Sequence, residues 1–416
     1  MGSSFIDLGV NPYFIRRLAG RNITEATDIQ KRVIPLLAAG ESVFFCSATG
    51  TGKTFAYLLP LAGRLLASQT APDTQEPADV EKPVTFSGGP WPRLVIAAPT
   101  FELCSQIKAE ADFLLGAGNA ALAIGSANIS RQIESLKKER PAVIVGNPGR
   151  LLLLAKMGKL KFRGLDFLVM DEADRLVSDE MSGETAALCE IISRDTRGGN
   201  GAGFVACSAT LAEKSREKLL ALPLFARNAD NGNVRGAVKF IETAEHEILR
   251  QRIEHWAVFS ESRRKIITLR SLIAAVRPAK ALIFSSRTDD AAKIAAALQY
   301  HKINSGGLYS GMDKKKRKGI IDSFRSGKIA VLVSSDLSAR GLDIPGITHI
   351  IALDVPADKD SYIHRAGRTG RAGKRGIMIS VGDEPEMRRL AALEKKLGII
   401  VRPKELYGGK LCAPEV

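Results

Sequence analysis

Short, uninterrupted apolar runs alternate with helix-period segments along nearly the whole chain, and this rhythm most limits the folds open to it. The runs Val43–Cys46, Leu94–Ala98, Val143–Val145, Phe167–Met170 and Phe204–Cys207 read as strands, with helical patterns such as Lys53–Ala67 and Leu103–Leu115 between them. A strand that is apolar at every position, rather than at every second one, needs helices over both faces, which defines a parallel, doubly wound sheet. The rhythm returns at Trp256–Phe259, Ala281–Ser285, Gly307–Tyr309, Val331–Ser334, His349–Leu353 and Gly376–Val381, with helices at Lys265–Ala275, Asp290–His301 and Lys314–Phe324. A chain of 416 residues exceeds the roughly 250–300 that one core serves. The expectation is therefore α/β, with two tandem domains, each a mostly parallel sheet covered by helices. The turn-forming stretch from Arg227 to Asn233 places a linker at 227–250, between a first domain at 1–226 and a second at 251–403, with a short tail at 404–416. Ser68–Pro92 reads as a surface insertion.

Charge separates the halves. Residues 1–250 hold 29 basic against 28 acidic side chains, and residues 251–416 hold 31 against 17, so the net +15 lies almost wholly in the second half. Such a half suits a polyanion, because each neutralised phosphate releases counterions, and it equally suits a solubilised surface. The most apolar stretch, Phe55–Ala67, is cut by Pro60 and Arg64 and falls short of the roughly 18 residues a membrane span needs. The start lacks the basic and apolar regions of a signal peptide. Five scattered cysteines with no Cys-x-x-Cys pair read as reduced thiols rather than a zinc site. Cytoplasmic location and no membrane association are expected.

Two motifs carry chemistry on their own residues. Ser47-Ala48-Thr49-Gly50-Thr51-Gly52-Lys53-Thr54 follows one strand and opens a helix. Its glycines let backbone N–H groups curl around phosphate oxygens at a helix N-terminus, with Lys53 reaching the terminal phosphates and the Thr54 hydroxyl on the magnesium side. Asp171-Glu172-Ala173-Asp174 ends another apolar run, where open α/β sheets collect ligands. A carboxylate there is a natural magnesium partner, and Glu172 is placed to orient or deprotonate an attacking water. Further along, Arg365, Arg368 and Arg371 recur every third residue among glycines, either as an arginine finger for a γ-phosphate or as a basic surface helix.

With these motifs in this order, the chain resembles the DEAD-box RNA helicases. Thr27-Asp28-Ile29-Gln30 resembles that family's Q motif, Phe5 its upstream aromatic, Ser208-Ala209-Thr210 its coupling motif, and Ser335 to Asp343 and His364 to Arg371 its second-domain motifs. The resemblance runs from Phe5 to about Pro403. It implies two RecA-like domains using ATP and Mg2+, with RNA gripped by its backbone and little sequence preference. By the same resemblance Phe5 and Gln30 would hold adenine, and the loop residues Ser47 to Thr54 the phosphates. Asp171 would anchor the metal, Gly341 and Asp343 would meet the ribose, and Arg368 and Arg371 the transferring phosphate. Ser208, Thr210, Asp174 and His364 would couple hydrolysis to RNA. Pro99, Thr100, Gly125, Asn147, Gly149, Arg150, Arg287, Arg317 and Ser335 would face RNA.

Departures from the family gather on the RNA side. Phe101 stands where Arg is usual, Ser126 for Gly, Asn147 for Thr, Tyr309-Ser310 for His-Gly and Lys314 for Gln, while the ATP-side residues are intact. The run Lys314-Lys315-Lys316-Arg317-Lys318 offsets some of the lost charge, or is a solvated helix face. The reading is an RNA-dependent ATPase that separates short duplexes or remodels RNA–protein complexes. An ATP-gated RNA clamp remains as the alternative, with a DNA translocase behind it. A protein partner for targeting and a monomeric state complete the expectation.

Overall fold

In a computed structural model, the chain divides into two compact units, Met1–Ser47 with Thr51–Thr243, and Ala48–Gly50 with Ala244–Val416. The structure describes residues 4–47, 50–68, 91–125, 127–196, 201–209, 213–224, 238–242, 251–285, 290–309, 311–336, 344–370 and 374–414.

The first unit holds β1 (Val43–Cys46), β2 (Leu94–Ala97), β3 (Ala120–Ala123), β4 (Val143–Gly146), β5 (Phe167–Asp171), β6 (Gly203–Ser208) and β7 (Lys239–Glu242). They form one sheet in the order β3-β4-β2-β5-β6-β1-β7, and every pairing is parallel. The apolar runs are buried along their whole length because alternate side chains feed two cores. Val43 and Phe45 of β1 enter one, and Phe44 and Cys46 enter the other. The second unit holds β8 (Ile253–Phe259), β9 (Ala281–Phe284), β10 (Ser305–Leu308), β11 (Val331–Ser334), β12 (His349–Ala352), β13 (Gly376–Gly382), β14 (Val401–Tyr407) and β15 (Lys410–Cys412). Its order is β10-β11-β9-β12-β13-β8-β14-β15, parallel except for the final hairpin. Leu282 and Phe284 serve one of its cores, Ala281 and Ile283 the other.

Four strands were not legible in the sequence. β3, with the sequence Ala-Ala-Leu-Ala, has low strand propensity and sits at a sheet edge. β7 falls inside the span expected to be linker, and pairs with β1 from Val43↔Lys239 to Cys46↔Glu242. β15 lies in the expected tail, and β14 runs into it from Val401 at the end of the expected second domain. The first half of β14 pairs with β8 and the second half with β15, so Pro403, opposite Ala257, has only one strand neighbour and its missing N–H is tolerated. Leu406 and Leu411 of this hairpin pack on the second unit's core.

All five cysteines are free thiols, four of them buried. Among the described residues no helix is long and apolar enough to cross a membrane, and no cluster of His, Cys, Asp or Glu has the makings of a metal cage.

Candidate nucleotide site and RNA-side motifs

The first-unit site is assembled at the carboxyl ends of β1, β5 and β6. Gly52 takes φ +87°, a left-handed backbone that suits glycine, and caps helix Lys53–Ala67. A Cβ there would lie 2.5 Å from Gln30 Nε2, so the close approach of Gln30 also requires glycine. Gln30, buried in helix Asp28–Ala38, accepts from Thr27 N–H at 2.9 Å and donates to the Gly52 carbonyl at 3.1 Å. The expected adenine reader is thus also a brace for the phosphate loop. Lys53 Nζ donates to the Ser47 carbonyl at 2.6 Å, and the Ser47 and Thr51 hydroxyls are 2.7 Å apart. Serine at position 47, where the general pattern has glycine, therefore ties the two ends of the loop together.

Asp171 ends β5 almost wholly buried. Three donors converge on its carboxylate: Glu172 N–H at 2.9 Å and Cys207 S–H at 3.2 Å on Oδ1, and the Tyr57 hydroxyl at 3.0 Å on Oδ2. Cys207 reaches it because the parallel register sets Asp171 directly opposite Cys207. Burial and then the Asp171 charge push the Tyr57 phenol well above its ordinary range, and the same two causes raise the Cys207 thiol, so both stay neutral donors. Glu172 caps the short helix Ala173–Leu176 with φ +50°, a conformation that costs a non-glycine residue about 1–2 kcal/mol. Ser208 Oγ donates to Asp174 Oδ1 at 2.6 Å, which joins two residues expected to act in coupling. A backbone cradle at Gly52, an ammonium, a hydroxyl and a fixed carboxylate are the donor set that a magnesium nucleotide requires.

On the RNA side, several expected contact residues hold structure as well. Thr100, after Pro99, caps helix Phe101–Leu115 by accepting from Leu103 N–H at 3.2 Å. Asn147 caps helix Pro148–Lys156 through Arg150 N–H at 3.3 Å, so Asn does here what the usual Thr would do. Arg150 is 8% exposed, and its guanidinium donates to the Gly125 and Ala127 carbonyls at 2.9 and 2.7 Å. It positions the Gly125 loop. A Cβ on Gly149 would meet the Glu184 carboxylate at 2.7 Å. Phe101 is half exposed at the start of its helix. Phe5, expected beside adenine, lies in the first unit's core at 1% exposure.

In the second unit the arginine series is divided. Arg365, at the end of helix Lys359–Ala366, is fully buried. It grips Asp336 with two bonds of 2.7 and 2.6 Å, and Asp354 through its carbonyl at 2.7 Å and its carboxylate at 3.3 Å. Burial works against the arginine's charge, and the two aspartates more than offset it. Arg368 is buried after the Gly367 cap, and His364 is half buried. Ser335 is buried beyond β11, and Arg317 is half buried on helix Lys314–Arg325. Ala48, Thr49, Thr210, Arg287, Gly341, Asp343 and Arg371 lie outside the described residues, as do Ser126 and Ser310. The motif reading missed Tyr57 and Cys207, whose signal was only their apolar company, and it grouped Arg365 with residues of a different role.

Residues 27–219 match the DEAD/DEAH box helicase domain, and residues 264–373 match the helicase conserved C-terminal domain. The chain belongs to the DEAD-box helicase family. It is 34% identical over 402 residues to the DEAD-box ATP-dependent RNA helicase CshC of Bacillus cereus, covering 96% of this chain and 93% of that one. It is 33% identical over 387 residues to the probable ATP-dependent RNA helicase YfmL of Bacillus subtilis, covering 92% of each. Among solved structures, Saccharomyces cerevisiae Dbp5 bound to RNA and ADP BeF3 superposes with a TM-score of 0.77 at 23% identity, over 97% of this chain and 95% of that one. Mss116p bound to single-stranded RNA and AMP-PNP gives 0.79 at 23% identity, over 98% and 80%. These two likenesses show the tandem RecA-like fold.

Proposed function

We propose that the protein is an ATP-dependent RNA helicase that hydrolyses ATP on binding RNA, and so separates short duplexes or remodels RNA–protein complexes. The observation that carries this reading is the joining of the phosphate loop to the acidic strand end within one unit, through Tyr57 of the loop's own helix and Asp171. Lys53 gives up its bond to the Ser47 carbonyl and takes a phosphate oxygen. Thr54 and Asp171 are the residues that would hold Mg2+, which supplies charge neutralisation across the phosphates. Glu172 orients the attacking water and receives its proton. Arg368 and Arg371 stabilise the charge developing on the transferred phosphoryl group. RNA is held by its sugar–phosphate backbone, and targeting falls to a protein partner or to RNA shape. Relatives matched over nearly their whole length are RNA helicases by name, and the clamp reading is not retained.

Steady-state ATP hydrolysis with and without single-stranded RNA, against single-stranded DNA at fixed salt, tests the proposal. Stimulation by RNA alone is expected, and equal stimulation by DNA would overturn it. The half-exposed Phe101 supplies a second test. Phe101→Arg is expected to tighten RNA binding and to steepen the dependence of log affinity on log salt by about one unit, as one new phosphate contact does. An unchanged affinity and slope would remove position 101 from the RNA surface.

A further inference from the structure

Asp171, assigned to the magnesium side, is held by a side chain from the helix that carries Thr54. Tyr57 is fully buried three residues beyond Thr54 on helix Lys53–Ala67. Its hydroxyl donates to Asp171 Oδ2 at 3.0 Å. A phenol has one proton to give and an ionised carboxylate only accepts, so that proton is committed to Asp171. On the other carboxylate oxygen, Cys207 S–H and Glu172 N–H complete the restraint.

We propose that Tyr57 is a positioning residue for the magnesium–nucleotide site, tying the Asp171 carboxylate to the helix that carries Thr54, with Cys207 as its support on the opposite oxygen. The proposal rests on the reading of Thr54 and Asp171 as the magnesium-side pair. Groups that orient metal ligands typically matter about 10–100-fold for metal affinity.

The test uses the full-length chain and a fluorescent ADP analogue, titrated with MgCl2 and separately measured in EDTA. Tyr57→Phe keeps the ring and removes the hydrogen bond to Asp171. It is expected to raise the magnesium concentration for half-maximal nucleotide retention about tenfold, while affinity in EDTA stays at the wild-type value. Cys207→Ala is expected to shift the magnesium requirement in the same direction by less, and Cys207→Ser, which restores a donor, to return it. A wild-type magnesium requirement in Tyr57→Phe would overturn the proposal, as would an equal loss in EDTA and in magnesium, the mark of a packing role. Should Tyr57→Phe not fold, the Cys207→Ala and Cys207→Ser pair decides it, and an unchanged magnesium requirement in Cys207→Ala overturns the proposal. If the wild-type protein binds nucleotide with no dependence on magnesium, the assignment of Thr54 and Asp171 falls together with it.

Discussion

Glu172→Gln is expected to lower RNA-stimulated ATP turnover by about 10²–10⁴-fold, the range over which a positioned general base acts, and to leave ATP binding intact. The replacement keeps the side chain's length and its carbonyl oxygen and removes only the charge and the basic site. The bonds from Gln30 to the Gly52 carbonyl, from Lys53 to the Ser47 carbonyl and between the Ser47 and Thr51 hydroxyls do not include Glu172. The backbone is not at issue either, since the φ of +50° at position 172 is already carried by a non-glycine residue. Single-turnover hydrolysis beside equilibrium ATP binding is the measurement. Near-normal hydrolysis in this variant would move the catalytic base to another residue.

The second large effect concerns stability rather than chemistry. Arg365→Ala is expected to destabilise the second unit by roughly 3 kcal/mol, because it strands two aspartates whose charges the guanidinium compensates. The side chain of Arg365 is 2% exposed, against 32% for Asp336 and 20% for Asp354. Partial access of water to the aspartates keeps the loss at the low end for buried pairs. Arg365→Lys is expected to recover only part of it, since an ammonium lacks the fork that grips both oxygens of Asp336. Urea unfolding followed by the emission of Trp256, which lies on β8 of the second unit, isolates that unit's transition once Trp91 of the first unit is replaced by Phe in both the reference and the variant. An unchanged midpoint together with lost ATPase activity would mean that Arg365 acts on the nucleotide and not on the fold. Arg368, three residues on, is also buried but is assigned to the transferring phosphate.

The contrast between these two arginines shows where sequence reading reaches its end. The spacing of Arg365, Arg368 and Arg371 is regular, and a regular spacing treats its members as equivalent. What fixes the place of Arg365 is a pair of aspartates that lie 29 and 11 positions away along the chain and beside it in space. Much the same holds for Arg150. The family resemblance implies an RNA contact there, whereas its bonds to Gly125 and Ala127 depend on how the loop after β3 returns to the helix after β4.

Local patterns suffice where the physics is local. Continuous apolar runs set the strands and the two-sided burial of both sheets, because a strand with no polar face has one stable environment. Glycine at position 52 and the Lys53-Thr54 pair behind it define a phosphate loop for the same reason: backbone freedom, charge and a helix start all lie within a few residues. The sequence by itself therefore determined the α/β class, the tandem arrangement and the family. The tertiary structure alone decided that Lys239–Glu242 and the tail hairpin complete the sheets, that Cys207 stands opposite Asp171, and that Tyr57 bonds Asp171. Each of these depends on strand register and on which elements pack side by side, and long-range pairing leaves no periodic mark on the segments it joins.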